Sequence, residues 1–351
     1  MNHSYKSCFQ PLKIENKGYL SIFITSCDAG NRMIEVLNNL HFSAISTNHY
    51  RTYYENKAQL KELLSYLHSE LLEFHCFEGC LHKCDIPSLH ELCSLNTIYE
   101  HTFHEEIIDM IINAPLISFL QPIIDLKNKE VYGYVSLLHI ENQTILPSQL
   151  FEVAKKTDLH YILDKRARTE AINARINRIP AGIKTFINFS PATITNSEFG
   201  LKHTLKLLKN NNIAPNDVVI EVVDTEKVTE LLQLSSLLQS YRECGMIVAL
   251  DDVGPKYATM DVLSKLQPNI IKINSNYIQN CHINPENQRF LEQCILLAKA
   301  LNIKVIAKGI EEKEEYDYLQ SIGIHLAQGY FIEQPSKSPT YLEKPTSISL
   351  Y

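Results

Sequence analysis

The sequence predicts an α/β chain: a (β/α)8 TIM-like barrel preceded by a small α/β domain. Three observations lead there. After Pro115, short apolar runs alternate with amphipathic helical segments, giving eight strands in about 215 residues. The stretch 247–277, IVALDDVGPKYATMDVLSKLQPNIIKINSNY, shows the repeating unit: a strand ending on Asp251 and Asp252, a Gly254-Pro255 turn, a short helix and a strand reaching Lys272. Polar residues also recur at strand ends: Asn188, Glu221, Asp251, Asp252, Lys272, Lys308 and Gln328. A barrel gathers such ends on one face, where barrels of this kind do chemistry. Adjacent carboxylates repel unless a cation holds them, so Asp251-Asp252 marks a metal or ion-pair site, or else a turn cap beside a solvated Asp.

The elements follow in order. Residues 19–26 (YLSIFITS) read as a strand, 31–40 as a short amphipathic helix and 42–47 as a second strand. From Lys57 to Phe77, Leu60, Leu63, Leu64, Leu67, Leu71 and Phe74 fall on one helical face. SLHELCSL and YEHTFHEEIIDMIINA read as further helices, ended at Ala114-Pro115. The barrel opens with 116–126 and 131–140, strands joined across LKNKE, so one strand is expected to run antiparallel. Helices 147–157 and 160–178 follow, then strand 185–189, helix 198–210, strand 218–223, helix 226–243, strand 246–250 and helix 258–265. Strand 270–273, helix 286–301, strand 304–307, helix 311–322 and strand 325–329 complete the pattern. The expected organisation is 1–85 small α/β domain, 86–114 helical connector, 115–340 barrel and 341–351 tail.

Composition narrows the function classes. With 33 basic and 40 acidic residues in 351, the formal charge is −7, which argues against nucleic acid or an anionic membrane as the main partner. No apolar run approaches the ~20 residues that span a bilayer. The first residues, MNHSYKSCFQPLKIENKGY, lack the apolar region of a signal peptide, so a cytoplasmic location is expected. The nine cysteines then read as reduced thiols. His75, Cys76, Cys80, His82, Cys84, His90, Cys93, His101 and His104 form a run dense in soft ligands. If helical, C-x3-C-x3-C aligns Cys76, Cys80 and Cys84 on one stripe, and with Cys93 they can hold Zn²⁺ or another transition metal. The competing reading is core cysteines beside surface histidines.

The strand-end segments also carry a family pattern. QPIIDLKNKEVYGYVSLL, INFSP (187–191), VVIEVVDTE (218–226), VALDDVG (248–254), IIKIN (270–274), VIAKGIEE (305–312) and LAQGYFIEQP (326–335) resemble the EAL domain, a cyclic-di-GMP phosphodiesterase barrel, in order and spacing over about residues 115–338. In active members of that family, carboxylates hold Mg²⁺ or Mn²⁺ and activate water against a phosphodiester. The resemblance maps metal positions onto Asn188, Glu221, Asp251 and Asp252, and an assisting lysine onto Lys272. It maps ligand contacts onto Leu137, Leu138, Asn188, Asp251, Lys272, Lys308 and Gln328. Glu311 also matches.

Departures shape the expectation. The signature EALLR is VSLLH here, so its Glu is Val135 and its phosphate-reaching Arg is His139. The Glu of the AEG-like segment is Lys308, and the Asp of the KID-like segment is Asn274. ELTE ends on Asp224, and the loop after the Asp pair carries Pro255 and Lys256. At the six family metal positions, three carboxylates and one ammonium give −2, against −5 for the family's five carboxylates. Lys308 is expected to pair with Asp251 or Asp252 in place of a metal, leaving no catalytic residue, only a vestigial Lys272. No cofactor is expected, with Mg or Mn needed only if residual activity persists. The resemblance thus implies a cyclic-di-GMP receptor or a protein-binding regulator, with a protein partner and a homodimer as candidates. The alternative is a residual metal-dependent phosphodiesterase. The amino-terminal half reads as a sensing or partner-binding module.

Overall fold

Alternation along GYLSIF puts Leu20 and Ile22 on one face of a strand, and that face founds the first core. In the computed structural model, which describes residues 11–24, 30–71, 74–83, 92–141, 145–190, 197–223, 231–256 and 259–340, the chain divides into two compact units. One is Met1–Ala114 with Ile145–Leu163; the other is Pro115–Thr144 with Asp164–Tyr351.

The first unit holds β1 (Gly18–Phe23), α1 (Gly30–Asn39), β2 (Ser43–Ser46), β3 (His49–Tyr54), α2 (Lys57–Glu70), β4 (Glu78–His82), β5 (Cys93–Ser94), α3 (Leu95–Phe103), α4 (Glu105–Asn113) and α5 (Pro147–Lys156). Its five strands pair antiparallel in the order β2-β3-β1-β4-β5. Leu20 and Ile22 pack with Met33, Val36 and Leu37 of α1 and with Leu60, Leu64 and Leu67 of α2. Asn56 starts α2 by accepting the Gln59 N–H at 2.9 Å.

The helix expected over 57–77 stops at Glu70, and β4 takes the residues beyond a 3-10 turn at Phe74–Cys76. Gly79 explains the change. A Cβ there would lie 2.8 Å from the Ser21 carbonyl oxygen, so the strand sits where only glycine fits. The predicted helical stripe of cysteines is thereby overturned: Cys76 lies in the turn and Cys80 in β4, while Cys84 and His90 fall outside the described residues. Cys93 pairs with Gly79 in β5, inside a stretch read as helical. Among the described residues no three metal-ligating side chains cluster. His101, read as a soft ligand, is buried in α3. Its Nδ1 accepts the Leu12 N–H at 3.1 Å, so its Nε2–H donates to the Thr157 carbonyl at 2.9 Å.

The second unit is a closed barrel of β6 (Leu116–Asp125), β7 (Val131–Ile140), β8 (Lys184–Phe189), β9 (Val218–Val222), β10 (Ile247–Val253), β11 (Ile270–Ile273), β12 (Lys304–Lys308) and β13 (Leu326–Gln328). The expected antiparallel strand is β6, paired antiparallel with both β7 and β13; the other pairs are parallel. The β6–β7 turn forms because the Asp125 carboxylate accepts the Lys127 N–H at 2.9 Å. Helices α6 (His160–Arg175), α7 (Ser197–Asn210), α8 (Leu231–Glu243), α9 (Met260–Leu266), α10 (Pro285–Leu301) and α11 (Lys313–Ser321) provide the crossovers. The expected helix start at 226 lies outside the described residues. Among the described residues no helix is long and apolar enough to cross a membrane.

Burial holds His101 below its ordinary 6.5, against weaker raising effects from Thr157 and nearby acids. The unfolded chain therefore takes up the proton first, and the stability that the neutral imidazole contributes is complete above pH ~6.5 and lost as pH falls below it. Urea midpoints should fall between pH 7.5 and 5.5 more steeply for wild type than for His101→Gln, which should itself cost about 1–3 kcal/mol at pH 7.5. Parallel pH profiles would show that His101 is not the group responsible.

Candidate active site at the barrel mouth

Each barrel strand sends one side chain into an inner apolar layer: Ile123, Val135, Phe186, Val219, Ala249, Ile270, Ile306 and Leu326, all buried in one cluster. Strand alternation places the next inward side chain two residues on. On the parallel strands these are Leu137, Asn188, Glu221, Asp251, Lys272, Lys308 and Gln328; on antiparallel β6 it is Gln121, two residues earlier. An apolar plug thus carries a polar layer at the mouth, with the sequence-predicted residues in it.

Two ammonium groups organise that layer. Lys272 Nζ lies 2.5 Å from Glu221 Oε1, and both side chains are almost wholly buried. Lys308 Nζ lies 2.8 Å from Asp251 Oδ1 and 2.7 Å from Asp252 Oδ1. Asn274 Nδ2 donates to the same Asp252 oxygen at 2.9 Å. Asp252 reaches them because the β10–β11 register shifts between Leu250 and Val253 and its φ is +53°, in the left-handed region. Between the neighbouring strands β13 and β6, Gln328 Nε2 donates to Gln121 Oε1 at 2.6 Å.

Burial pushes the Glu221 carboxyl up to about 7, opposed by Lys272. Burial would also raise Asp251, but Lys272 and then Lys308 outweigh it and hold that carboxylate below its ordinary 3.8. For Lys308 burial works against the charge, and Asp251 and then Asp252 outweigh it, so its pKa is raised. A carboxylate that stays ionised beside an ammonium that stays protonated is a permanent ion pair across the working pH range.

A family profile, the EAL domain, matches residues 104–335. The chain belongs to the EAL domain family. Three curated relatives align over this domain. The probable cyclic di-GMP phosphodiesterase PdeG of Escherichia coli is 28% identical over 238 residues, covering 66% of this chain and 47% of PdeG. The blue light- and temperature-regulated antirepressor BluF of E. coli is 26% identical over 209 residues, 59% of this chain and 51% of BluF. The cyclic di-GMP phosphodiesterase PA2567 of Pseudomonas aeruginosa is 29% identical over 222 residues, 61% of this chain and 37% of that protein. The chain spans about half or less of these relatives. Among solved structures, a standalone EAL protein from Vibrio cholerae in its c-di-GMP bound form has 26% identity and TM-score 0.57, covering 65% of this chain and 95% of that one. The cGMP-bound EAL enzyme Bd1971 has 18% identity and TM-score 0.63, covers 93% of each chain, and shares the fold.

Within this EAL domain, Lys308 meets both carboxylates of the pair, where one was expected. Val135 lies in the apolar layer, 2% exposed. Asn188 is exposed at the mouth. Leu137 packs against the inner layer, but alternation puts Leu138 on the opposite strand face with Ser136, so it does not belong to the mouth. Glu311 is exposed, and its backbone N–H donates to Glu315 Oε2. His139 stacks on Phe119 with centroids 4.1 Å apart, and its Nδ1–H donates to the Leu137 carbonyl. Sequence reasoning missed Gln121. Its signal was the apolar-x-polar spacing of the six strands β8 to β13, read backwards on antiparallel β6.

Lys308→Met keeps the aliphatic stem and removes the ammonium. It should cost about 1–3 kcal/mol at pH 7 by urea denaturation, because two carboxylates are left facing each other. Asp251 contributes its share only above pH ~4, so the cost should shrink as pH falls through the acid range. Adding Asp251→Asn should recover part of the loss, and strictly additive losses would show that the two residues are uncoupled.

Proposed function

We propose that this EAL domain protein is a non-catalytic regulator in cyclic-di-GMP signalling. In this reading it takes the dinucleotide at its barrel mouth without a divalent metal and passes its state to a protein partner. The Lys308 ammonium, 2.7–2.8 Å from both Asp251 and Asp252, carries the reading. A divalent ion bound by the same carboxylates would meet that ammonium at close range in a partly desolvated site, where like charges repel strongly. Nor do the neighbouring positions favour a metal. Glu221 keeps one buried oxygen, Oε2, without a hydrogen-bond partner, but its Oε1 is committed to Lys272, and Val135 offers a hydrocarbon side chain. The residues present therefore do not fit Mg²⁺ or Mn²⁺, and no hydrolytic step is assigned.

Ligand chemistry survives that loss. Phosphates are met by cations, and Lys308 is still 21% exposed above the carboxylates while Asn188 faces the opening. BluF, aligned over the same domain, is named as an antirepressor, a regulatory role. The proposal includes a cytoplasmic location and self-association of the barrel.

The second reading, a residual phosphodiesterase, rests on the retained Asn188, Glu221, Asp251 and Asp252. Calorimetric titration with cyclic-di-GMP, with and without Mg²⁺, followed by product analysis, separates the readings. Binding that is indifferent to Mg²⁺, with no linear dinucleotide formed, is the expected result; at ~100 times its Kd the ligand should add ~2.7 kcal/mol of stability. Turnover by the wild type would establish the second reading, and no binding would leave a protein-interaction scaffold. The double variant Val135→Glu, Lys308→Glu should gain Mn²⁺-dependent thermal stabilisation that the wild type lacks.

A further inference from the structure

Alternation along β1 sends Tyr19, Ser21 and Phe23 to the face of the amino-terminal sheet opposite the Leu20 and Ile22 core. Ser21 is wholly buried there. Its Oγ lies 2.8 Å from His82 Nε2 of β4 and 2.9 Å from His49 Nε2 of β3, so one hydroxyl joins both strands that flank β1. Each imidazole is held against a ring of β1. His49 stacks on Phe23 with centroids 4.4 Å apart, and His82 on Tyr19 at 5.6 Å. The Arg51 guanidinium lies 4.5 Å over the same Tyr19 ring.

The hydrogens available decide what this group tolerates. A serine hydroxyl has one proton to give and lone pairs to receive. Two neutral imidazoles suit it: one Nε2 accepts the hydroxyl proton while the other donates its own. A proton added to the accepting ring turns that ring into a second donor to the same oxygen, and the hydroxyl hydrogen must then find another acceptor. Among the described residues Ser21 Oγ has no third partner. Either a buried hydroxyl is left unsatisfied beside a new charge, or one ring leaves it.

The surroundings of His49 oppose that proton. Arg51 lies two residues along β3, and His82 faces His49 across Ser21. On the same face β2 sets uncharged Ser43 and Ser46 opposite Arg51 and His49, β4 brings Cys80 opposite Ser21, and Glu78 lies beyond Phe23. Tyr19 and Tyr53 complete the face. Burial first, then Arg51 and His82, hold His49 below its ordinary 6.5.

We propose that His49, Ser21 and His82 form a proton-operated latch at the centre of the amino-terminal sheet, closed while both rings are neutral and opened when acid protonates the ring that accepts from Ser21. Opening releases β3 or β4 from β1 on that face, and acidification is the input the module reads. A released, solvated imidazole takes up its proton near pH ~6.5, while the closed form resists it. The open population therefore grows as pH falls below ~6.5 and is suppressed above it.

The test is hydrogen exchange of the full chain at pH 7.5 and 5.5, read by mass spectrometry and corrected for the chemical exchange rate of each amide. Protection over β1 and β3 should fall about tenfold more at pH 5.5 than protection over barrel strand β8, because pH 5.5 lies about one unit below the ordinary histidine value. His49→Gln, His82→Gln should bring that loss below about twofold. His101→Gln, which removes the buried imidazole of α3, should leave it intact. Should circular dichroism show the double variant unfolded, the single variants carry the test, and the one lacking the accepting ring should abolish the loss. The proposal fails if wild-type protection over β1 and β3 changes no more than over β8, if no histidine variant at 49 or 82 reduces the loss, or if His101→Gln abolishes it.

Discussion

A barrel mouth lined by carboxylates folds only if their charge is answered. Here the answer is covalently part of the chain. Lys272 answers Glu221 at 2.5 Å, and Lys308 answers Asp251 and Asp252 together. Isolated ionised carboxylates in such a place cost several kcal/mol each, and ion pairs recover that cost only when the geometry is tight and the remaining lone pairs find donors. Asn274 supplies one such donor, and the left-handed turn at Asp252 brings its carboxylate within reach of both partners. The strained backbone, the amide and the ammonium form one arrangement, and none of the three has a reason to be there without the others.

Beneath it, the apolar plug sets how far charge can penetrate. Ala249, Phe186 and Ile270, all buried, lie one inward position below Asp251, Asn188 and Lys272. Val135 extends that plug on β7, at the position to which the sequence resemblance assigns the glutamate of the EAL signature. The substitution changes more than a ligand count: it moves the boundary between hydrocarbon and charge towards the opening. Glu221, enclosed by this boundary, has the least water around it, which is why burial dominates its titration even with an ammonium beside it.

The barrel was legible because its signal repeats. Six strands, β8 to β13, place a polar residue two after the inner apolar one and give six chances to read the same rule in one direction, while β7 carries Leu137 there. Gln121 was hidden because β6 runs the other way, so its mouth-facing polar residue precedes the apolar one. Leu138 was misplaced for a related reason: a motif match does not respect the two-residue alternation that sends Leu137 and Leu138 to opposite faces. The first unit offered no repetition. Its strands β3, β4 and β5 went unread because HYRTYY is half polar, EGCLH holds a glycine required by close packing rather than by a turn, and CS is too short to show a period. The cysteine stripe failed for the same cause, since a spacing of four has meaning only on a helix.

The departures from the EAL pattern are best understood as a set. Replacing Lys308 by glutamate alone would bring a third carboxylate against Asp251 and Asp252, with Val135 still unable to help hold an ion that could reconcile them. Replacing Asn274 by aspartate alone would turn a donor to Asp252 into a repelling charge while Lys308 is already shared between two partners. Replacing Val135 alone would bury a carboxyl in the apolar layer with no cation assigned to it. Each single reversal therefore passes through a less stable barrel, and only a coordinated change, completed by a bound cation, restores balance. The ion pairs at the mouth are thus part of the same electrostatics that keep the barrel closed.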